Sequence, residues 1–372
     1  MTHRERILSV YRGETPDVVP CMLDLSHWFY HRFRRPWDLS RAFLEPEVEL
    51  IDYHRRAGVG FYLANLGSFY NATYGEDVAA TVKRDDSDGA KITWTLTTPL
   101  GTICRVREWE EVSYSWAIRE FPIKSQADLQ VLAYAASSRR YAPAWDRYEK
   151  WVQAVGDLGV VYISPGYSAM GELLGQWMGI ENVMYAVADY PEFLHEIVAR
   201  INESCLRCID LLAQSPAEIV LMGDNFSSDV QSPRFFDEWS RDYYVEAVRR
   251  LHRAGKYVAV HVDGRLRGLL NALAEIGVDC IDAVTPKPMG DLTPQECRNE
   301  AGTELILSGG IAPNLWLPEV PMEAFTKAVL DWLDLRKRSP RLIANAGDQV
   351  PPGADEQRIA LMRDLVEKHG RF

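Results

Sequence analysis

A histidine and an aspartate two residues apart form a pair with clear chemical potential. His261 and Asp263 lie in the segment His-Val-Asp-Gly, at the end of an apolar run. Residues two apart in an extended chain project to the same side, so this imidazole and carboxylate can reach one point. A catalytic zinc ion takes three protein ligands and keeps one open position. Asp348 follows another apolar run, and we predict a divalent metal site, with zinc the first candidate, at His261, Asp263 and Asp348.

Two further aspartates are candidates for proton transfer. Asp224 follows one apolar run and Asp282 lies within another. We expect Asp224 to be a fourth ligand or a carboxylate that orients the imidazole. Asp224 or Asp282 could act as general acid or outer-shell base beside His261. The alternative is a metal-free arrangement, in which His261 bonds to neighbouring carboxylates while Asp224 and Asp348 cap the helices that follow.

Aromatic and amide side chains follow several of the same runs. The predicted substrate-binding residues are His27, Trp28, Tyr30, Asn65, Tyr167 and Asn225. A pocket with flat apolar walls and few polar groups suits an aromatic or planar ligand. Core packing of the same large side chains is the alternative.

Eight short apolar runs must position these residues. They cover residues 18–23, 60–65, 160–164, 219–223, 257–262, 280–284, 305–308 and 342–345. The runs do not alternate with polar residues, which is typical of parallel strands buried on both faces. Helix-length segments separate most of them, so we predict an α/β fold with a single (β/α)8 TIM barrel over residues 1–372. In that fold the active site lies at the C-terminal ends of the strands.

One stretch interrupts the alternation of strands and helices. Residues 67–159 form a predicted insertion after the second strand. Within it, two β-rich segments in residues 91–110 flank a turn at Pro99-Leu100-Gly101, which predicts a β-hairpin. An insertion at this end of a barrel would cover the pocket.

The charge balance excludes two classes of partner. The chain has 372 residues, with 41 Lys and Arg against 53 Asp and Glu, and a net charge of -12. Such a chain repels phosphate backbones and anionic lipids, so we expect no nucleic-acid and no membrane partner. The N-terminus lacks the apolar core of a signal peptide, and no apolar run approaches the ~20 residues needed to cross a bilayer. We therefore expect a cytoplasmic protein.

A series of short motifs resembles the uroporphyrinogen decarboxylase-like superfamily, which includes the decarboxylase and the corrinoid-dependent methyltransferases. The motifs are RERIL at 4–8, GETPD at 13–17, TPLGT at 98–102, HVDG at 261–264, IGVD at 276–279, SGGI at 308–311 and NAGD at 345–348, followed by Pro351-Pro352. Their order and spacing carry the resemblance, which covers nearly the whole chain. It implies a TIM barrel.

The resemblance is nearest to the methyltransferase branch. That branch carries a zinc site of pattern His-x-Cys with a later Cys, and His261, Asp263 and Asp348 stand at those positions with both thiolates replaced by carboxylates. The decarboxylase has a Gln-Ala-Gly-Arg segment after the first strand and a histidine in the final motif. This chain has Ser26-His27-Trp28 and Asp348 there instead.

The resulting hypothesis is a metal-dependent methyltransferase. It would move a methyl group from a small substrate, plausibly a methoxylated aromatic, to a corrinoid held by a separate corrinoid-binding protein. Oxygen ligands favour a metal that acts on an ether or hydroxyl oxygen rather than on a thiol. The alternative is a metal-independent decarboxylase of the uroporphyrinogen decarboxylase type, acting on a carboxylated substrate. A third possibility is a non-catalytic barrel that binds a corrinoid protein or a planar ligand.

Overall fold

The computed structural model describes residues 1–34, 39, 43–63, 69–85 and 90–372. The helices there are α1 His3–Arg12, α2 Ser26–Arg32, α3 Val48–Ala57, α4 Gln126–Ser138, α5 Trp145–Val155, α6 Ala169–Glu172, α7 Gly179–Asp189, α8 Pro191–Ala213, α9 Pro233–Trp239, α10 Arg241–Arg253, α11 Leu269–Glu275, α12 Pro294–Ala301, α13 Met322–Asp334 and α14 Glu356–His369. A π-helical turn, Leu173–Trp177, follows α6. Among the described helices, none has the length and apolar character needed to cross a bilayer.

The strands in the same ranges are β1 Met22–Leu23, β2 Gly60–Phe61, β3 Tyr70–Thr73, β4 Ala79–Asp85, β5 Lys91–Thr98, β6 Gly101–Glu110, β7 Ser115–Ile118, β8 Arg140–Pro143, β9 Ile219–Phe226, β10 Tyr257–Val262, β11 Cys280–Val284, β12 Ile306–Ile311 and β13 Leu342–Ala346. The strands β9 to β13 form a parallel sheet in chain order, and β1 pairs parallel with β2. Parallel strands alternating with helices make this an α/β fold.

Three isolated parallel bridges connect the parallel segments. Cys21 pairs with Ala344, Phe61 with Gly159, and Ile163 with Val220. The first bridge links the residue before β1 to β13, the second links β2 to Gly159, and the third links residues 160–164 to β9. All eight apolar runs predicted from sequence therefore take part in parallel pairing.

The inner faces of these runs meet in one buried cluster. It contains Met22, Tyr62, Val160, Tyr162, Ile219, Leu221, Ala259, Cys280, Ile306 and Ile343, together with Ile7, Leu8, Val10 and Tyr11 of α1. Side chains of alternate strand residues point to the same side, which explains why each run contributes one or two. The apolar face of α1 covers one end of this cluster.

Local sequence signals fix α1 at both ends. The Thr2 hydroxyl accepts from the backbone N–H of Glu5, and the Glu5 carboxylate accepts from the N–H of Thr2. This reciprocal pair satisfies two N–H groups that a helix leaves free at its start. The helix ends at Gly13, whose φ of 84° is a conformation that glycine adopts without strain.

Between β2 and residue 160 lies a second, antiparallel layer. Strands β4, β5, β6 and β7 form a four-stranded antiparallel sheet, here called the β4–β7 sheet. Thr98 of β5 pairs with Gly101 of β6, so Pro99 and Leu100 form the connection. Leu96 and Ile103 of this sheet pack in the same core cluster as Leu129 and Leu132 of α4.

Candidate functional site

Three predicted metal ligands converge at the C-terminal ends of β10 and β13. His261 is the penultimate residue of β10, Asp263 follows that strand, and Asp348 lies two residues beyond β13. One ligand atom from each lies within 4.8 Å of the others. His261 Nε2 is 4.0 Å from Asp263 Oδ1 and 3.8 Å from Asp348 Oδ1. We call these three residues the triad.

A fully buried carboxylate lies behind the imidazole. Asp282 of β11 is 0% exposed, and its Oδ2 accepts from His261 Nδ1 at 2.9 Å. The hydroxyl of Tyr62 donates to the same oxygen, and Ser308 Oγ donates to Oδ1 at 3.4 Å. A carboxylate can only accept, so Nδ1 carries a proton, and Nε2 faces the two triad carboxylates. This carboxylate–histidine arrangement orients metal-binding histidines in other proteins.

The triad carries excess negative charge in a partly buried place. Burial lowers the pKa of His261, but the Asp282 hydrogen bond and the charges of Asp263 and Asp348 outweigh it and raise that pKa to about 10. Partial burial, helped by the charge of Asp263, raises the pKa of Asp348 to about 6, and burial also raises the pKa of Asp263. The arrangement therefore favours a bound cation, either a proton or a metal ion. One nitrogen and two oxygen donors fit a divalent ion such as zinc.

Irregular strand pairing shapes the site. Val260 pairs with Met222 and Val262 with Phe226, so residues 223–225 of β9 bulge opposite His261. A second bulge on β11 places Asp282 and Ala283 opposite Ser308 of β12. Ala283 has a φ of 67°, and a left-handed conformation at a non-glycine residue stores strain near a site. Bulges often redirect side chains at functional sites.

The loop that carries Asp348 is held by a close backbone contact. The Thr285 hydroxyl donates to the carbonyl of Gly347. A Cβ atom at Gly347 would lie 2.6 Å from the Thr285 oxygen, so only glycine fits there. Val350 N donates to the carbonyl of Asp24 at 2.9 Å, which ties the same loop to the end of β1.

Asp224 makes its hydrogen bonds away from the triad. Its side chain is 4% exposed, and it accepts from Ser168 N at 2.6 Å and from the Ser168 hydroxyl. Burial raises the pKa of Asp224 to about 6, although the Ser168 bonds act to lower it. Of the two carboxylates predicted beside the imidazole, Asp282 contacts His261, and Asp224 holds the start of α6.

Two predicted substrate residues lie beside the triad. The Asn225 side chain lies close enough to Asp263 to act against the rise in the pKa of that carboxyl, and Asn225 has a φ of 51° within the β9 bulge. Tyr167 lies near Asp224 and Asp263. Burial raises the pKa of Tyr167, Arg107 lowers it, and the charges of Asp224 and Asp263 raise it further.

Three other predicted substrate residues lie on α2, the helix that follows β1. His27 Nε2 is 3.0 Å from the carbonyl oxygens of Ser113 and Tyr114, in the connection between β6 and β7. Trp28 is 1% exposed and donates to the Ala354 carbonyl at 3.0 Å, and Tyr30 is 6% exposed. Asn65 lies outside the described residues.

Sequence reasoning missed Tyr62 and Ser308, the two hydroxyl donors to Asp282. Both lie inside apolar runs, where a hydroxyl has no local sequence pattern to mark it. The signal that could have identified these two residues was their position in the second and seventh runs, close to the level of the predicted ligands.

Comparison with known proteins identifies the family. The family model for uroporphyrinogen decarboxylase (URO-D) matches residues 158–369, more than half of the chain. The chain belongs to the URO-D family. The matched region contains the whole triad together with Asp224 and Asp282, so the candidate site lies within the URO-D portion. The superfamily resemblance expected from the motifs is confirmed.

Individual relatives of this URO-D chain are distant. Uroporphyrinogen decarboxylase from Thioalkalivibrio sulfidiphilus (strain HL-EbGR7) is 24% identical over 223 residues, which cover 59% of this chain and 60% of the relative. The chain thus matches less than two thirds of that curated relative. The solved structure of a methyltransferase from Methanosarcina mazei has a TM-score of 0.63 at 14% identity and covers 99% of both chains. At that identity the likeness shows a shared fold.

Proposed function

We propose that this URO-D family member is a metal-dependent methyltransferase that moves a methyl group from a small substrate, a methoxylated aromatic, to a corrinoid held by a separate protein. The single observation that carries the proposal is the triad, backed by Asp282. One imidazole nitrogen and two carboxylate oxygens face a common point, and the bond from Nδ1 to Asp282 makes Nε2 the nitrogen that can exchange its proton for a metal ion. Catalytic metal centres use such a set of three ligands, with a carboxylate that orients the histidine.

The proposed architecture is a single (β/α)8 barrel over residues 1–372, with residues 67–159 as an insertion. The bridge from Cys21 to Ala344 supports closure, because it joins the first strand to the last. The bridges at Phe61 and Ile163 support continuity between β2 and β9. In such a barrel the triad lies at the C-terminal rim, where barrel enzymes place their chemistry.

The protein's own residues hold and orient the reacting groups. His261, Asp263 and Asp348 would hold the ion, and Asp282 keeps the His261 ring in place. When bound, a divalent ion supplies Lewis-acid activation of an ether oxygen, a task suited to oxygen ligands. Asp282 is our candidate for the outer-shell base, since it touches the imidazole directly. Asp224 is the candidate general acid or a positioning residue, and its bonds to Ser168 favour positioning.

A second candidate function is metal-independent decarboxylation of a carboxylated substrate. Membership of the URO-D family and the relative named uroporphyrinogen decarboxylase favour it. His261 would then carry a proton held by Asp282, Asp263 and Asp348, and could deliver it to a carbanion. The two candidates differ in whether the triad binds a metal ion or a proton.

A methyl-transfer assay separates the two candidates. Purified protein is mixed with a methoxylated aromatic and a corrinoid protein in the Co(I) state, and methylation of the corrinoid is followed by its absorbance. We expect turnover by the wild type and loss of at least about 100-fold in Asp263→Ala, with Asp157→Ala, an exposed aspartate far from the triad in sequence, as the matched control. Full decarboxylation of a carboxylated substrate without metal or corrinoid would instead establish the second candidate.

A further inference from the structure

A cavity of about 520 Å³ lies between the β4–β7 sheet and the segment that follows residues 160–164. Its volume is in the range that holds a small organic ligand. Six aromatic side chains line it: Tyr70, Tyr74, Trp94, Tyr141, Tyr167 and Trp177. Flat apolar walls of this kind favour a planar ring.

One cationic side chain is fixed in the cavity wall. The Arg105 guanidinium carbon lies 4.7 Å from the ring centre of Trp94 and 4.7 Å from that of Trp177. Two aromatic faces on a guanidinium hold its plane rigidly and leave its N–H edge available. Arg105 Nη1 donates to Gln176 Oε1 at 2.7 Å, while its Nε is buried with no partner among the described residues. Within that part of the chain, most of the five donors of Arg105 make no hydrogen bond.

Arg105 and Arg107 form no ion pair with a carboxylate of the described residues, although Glu172 lines the same cavity. Arg107 projects from β6 on the same side as Arg105 and donates to the same Gln176 oxygen at 2.8 Å. In the described ranges neither guanidinium has a carboxylate within 4.0 Å, whereas Arg139 in the same cavity pairs with Glu172 at 3.0 Å. Burial, together with the charge of Arg107, lowers the pKa of Arg105 to about 10. The side chains at the cavity therefore carry excess positive charge, in a protein whose net charge is -12.

The cavity shares a wall with the candidate metal centre. Gly166 and Tyr167 line it, and the Gly166 carbonyl accepts from Gly223 N at 3.3 Å, next to Asp224 in β9. A Cβ atom at Gly171 would lie 2.4 Å from an Asp224 oxygen, so the chain from residue 166 to α6 packs directly on that carboxylate. A ligand in the cavity would lie against Tyr167, the residue predicted to bind substrate.

We propose that this cavity binds an aromatic carboxylate, with the carboxylate on the free N–H edge of Arg105 and the ring among the aromatic side chains. A bidentate carboxylate would supply the missing counter-charge for the Arg105 and Arg107 pair. Assigning this ligand as the methyl donor rests on the proposed function, which it narrows to methoxylated aromatic acids. The binding itself does not depend on methyl transfer.

Calorimetric titration of the full chain with para-methoxybenzoate tests the site. We expect binding by the wild type, and binding at least about 10-fold weaker for the neutral analogue para-methoxybenzamide and for cyclohexanecarboxylate. Arg105→Gln should weaken para-methoxybenzoate binding by a similar factor, and Arg105→Lys by less, because it keeps the charge. Arg119→Gln, which removes an exposed charge just after β7, is the matched control and should bind as the wild type does.

Each result of these titrations either supports or overturns the proposed binding site. No detectable binding, equal binding of the amide, or unchanged binding in a folded Arg105→Gln protein would overturn it. Binding that survives Arg105→Gln but is lost in Asp263→Ala would place the anion at the triad and also overturn it. If Arg105→Gln does not fold, the comparison of acid and amide on the wild type decides. Binding through Arg105 without methyl transfer would support the cavity while contradicting the proposed function.

Discussion

Asp282 fixes the orientation of the His261 ring. It is a fully buried carboxylate with three donors, namely His261 Nδ1, the Tyr62 hydroxyl and Ser308 Oγ. A buried charge is tolerated when such hydrogen bonds replace its water. The same bonds hold the imidazole so that Nε2 faces Asp263 and Asp348. Tyr62 is therefore a positioning residue that acts on the triad through Asp282.

Replacing Tyr62 with Phe removes one donor from Asp282. We expect a loss of about 1.5–3 kcal/mol in the free energy of unfolding, typical of a hydrogen bond to a charged group, and about a 10-fold loss in zinc affinity. Urea unfolding and a competitive zinc titration measure the two effects. Tyr257→Phe is the control, since the Tyr257 ring packs against Tyr11 of α1 and its hydroxyl is not among the donors to Asp282 in the described structure. Unchanged zinc affinity in Tyr62→Phe would contradict the positioning role.

Part of this site could be predicted from the sequence. The spacing of His261 and Asp263 and the motif that ends in Asp348 predict a cluster, and the structure places these three within 4.8 Å. From sequence, Asp282 and Asp224 are equal candidates to contact the imidazole, because both lie near strand ends. Only the bulges on β9 and β11 separate them, and bulges have no sequence signal at these residues.

At the scale of elements, glycines let β12 approach its neighbours. Gly309 has a φ of 146°, and Gly310 has a φ of 113°. A Cβ atom at Gly310 would lie 2.4 Å from the ring of Trp332, which is buried on α13. Both residues belong to the SGGI motif, and a Cβ atom at Gly309 would lie 2.3 Å from the Val284 carbonyl oxygen.

Gly310→Ala tests this packing. We expect it to cost roughly 2–6 kcal/mol of unfolding free energy, because backbone strain and overpacking add. Gly353→Ala is the matched control: its φ is 78° but nothing lies within 4 Å of its Cβ position, so it should cost only about 1–2 kcal/mol. Chemical denaturation of both variants gives the comparison. Equal costs would show that the Trp332 contact does not constrain β12.

Helix α3 carries a buried histidine that should make stability depend on pH. His54 is 0% exposed, its Nδ1 donates to the Gly60 carbonyl at 3.2 Å, and its Nε2 has no hydrogen-bond partner in the part of the chain that the structure describes. Burial lowers the pKa of His54 to about 3. Below about pH 6.5 the unfolded chain therefore binds a proton at His54 that the folded chain does not bind. The free energy of unfolding falls as the pH drops from about 6.5 toward 3.

The expected slope from His54 is at most about 1.4 kcal/mol per pH unit. Unfolding free energies of the wild type and His54→Leu, measured between pH 7 and pH 5, test it, since the variant should have the shallower slope. His369→Leu, near the C-terminal end of α14, should keep the wild-type slope. Parallel slopes for wild type and His54→Leu would contradict the role given to His54.

Element boundaries were predicted less well than element order. The fourth run was expected to end at Gly223, but β9 continues to Phe226, because the bulge lets residues beyond Asp224 rejoin the pairing with β10. The helix-length segment between the fourth and fifth runs is divided at Ser240 into α9 and α10. Apolar periodicity continues across such a break, so sequence pattern alone does not reveal it.

At the scale of the whole molecule, the proposed barrel depends on contacts between distant parts of the chain. Ala344 N donates to the Pro20 carbonyl at 2.8 Å, and Leu221 N donates to the Ile163 carbonyl at 2.8 Å. The eight runs and their order could be predicted because each is a local signal. The pairing of the first run with the last could only be inferred from the rule that such repeats close.

Amide hydrogen exchange tests that closure. If the ring is closed, residues 342–346 and 219–223 should exchange with opening free energies within about 1 kcal/mol of each other, since neither lies at a sheet edge. The amide of Val112, which is 95% exposed, is the internal reference for fast exchange. Exchange of residues 342–346 many-fold faster than residues 219–223 would indicate an open sheet with β13 at its edge.

Elemental analysis after dialysis against a weak chelator measures whether the triad binds a metal ion, as we claim. We expect about one divalent ion, zinc, per wild-type chain, little or none in Asp263→Ala, and most of it retained in Asp224→Asn, because Asp224 bonds to Ser168 instead of the triad. Thermal unfolding shows that the variants are folded. A wild-type protein that is free of metal yet fully active would contradict the claim and favour the proton-based decarboxylase.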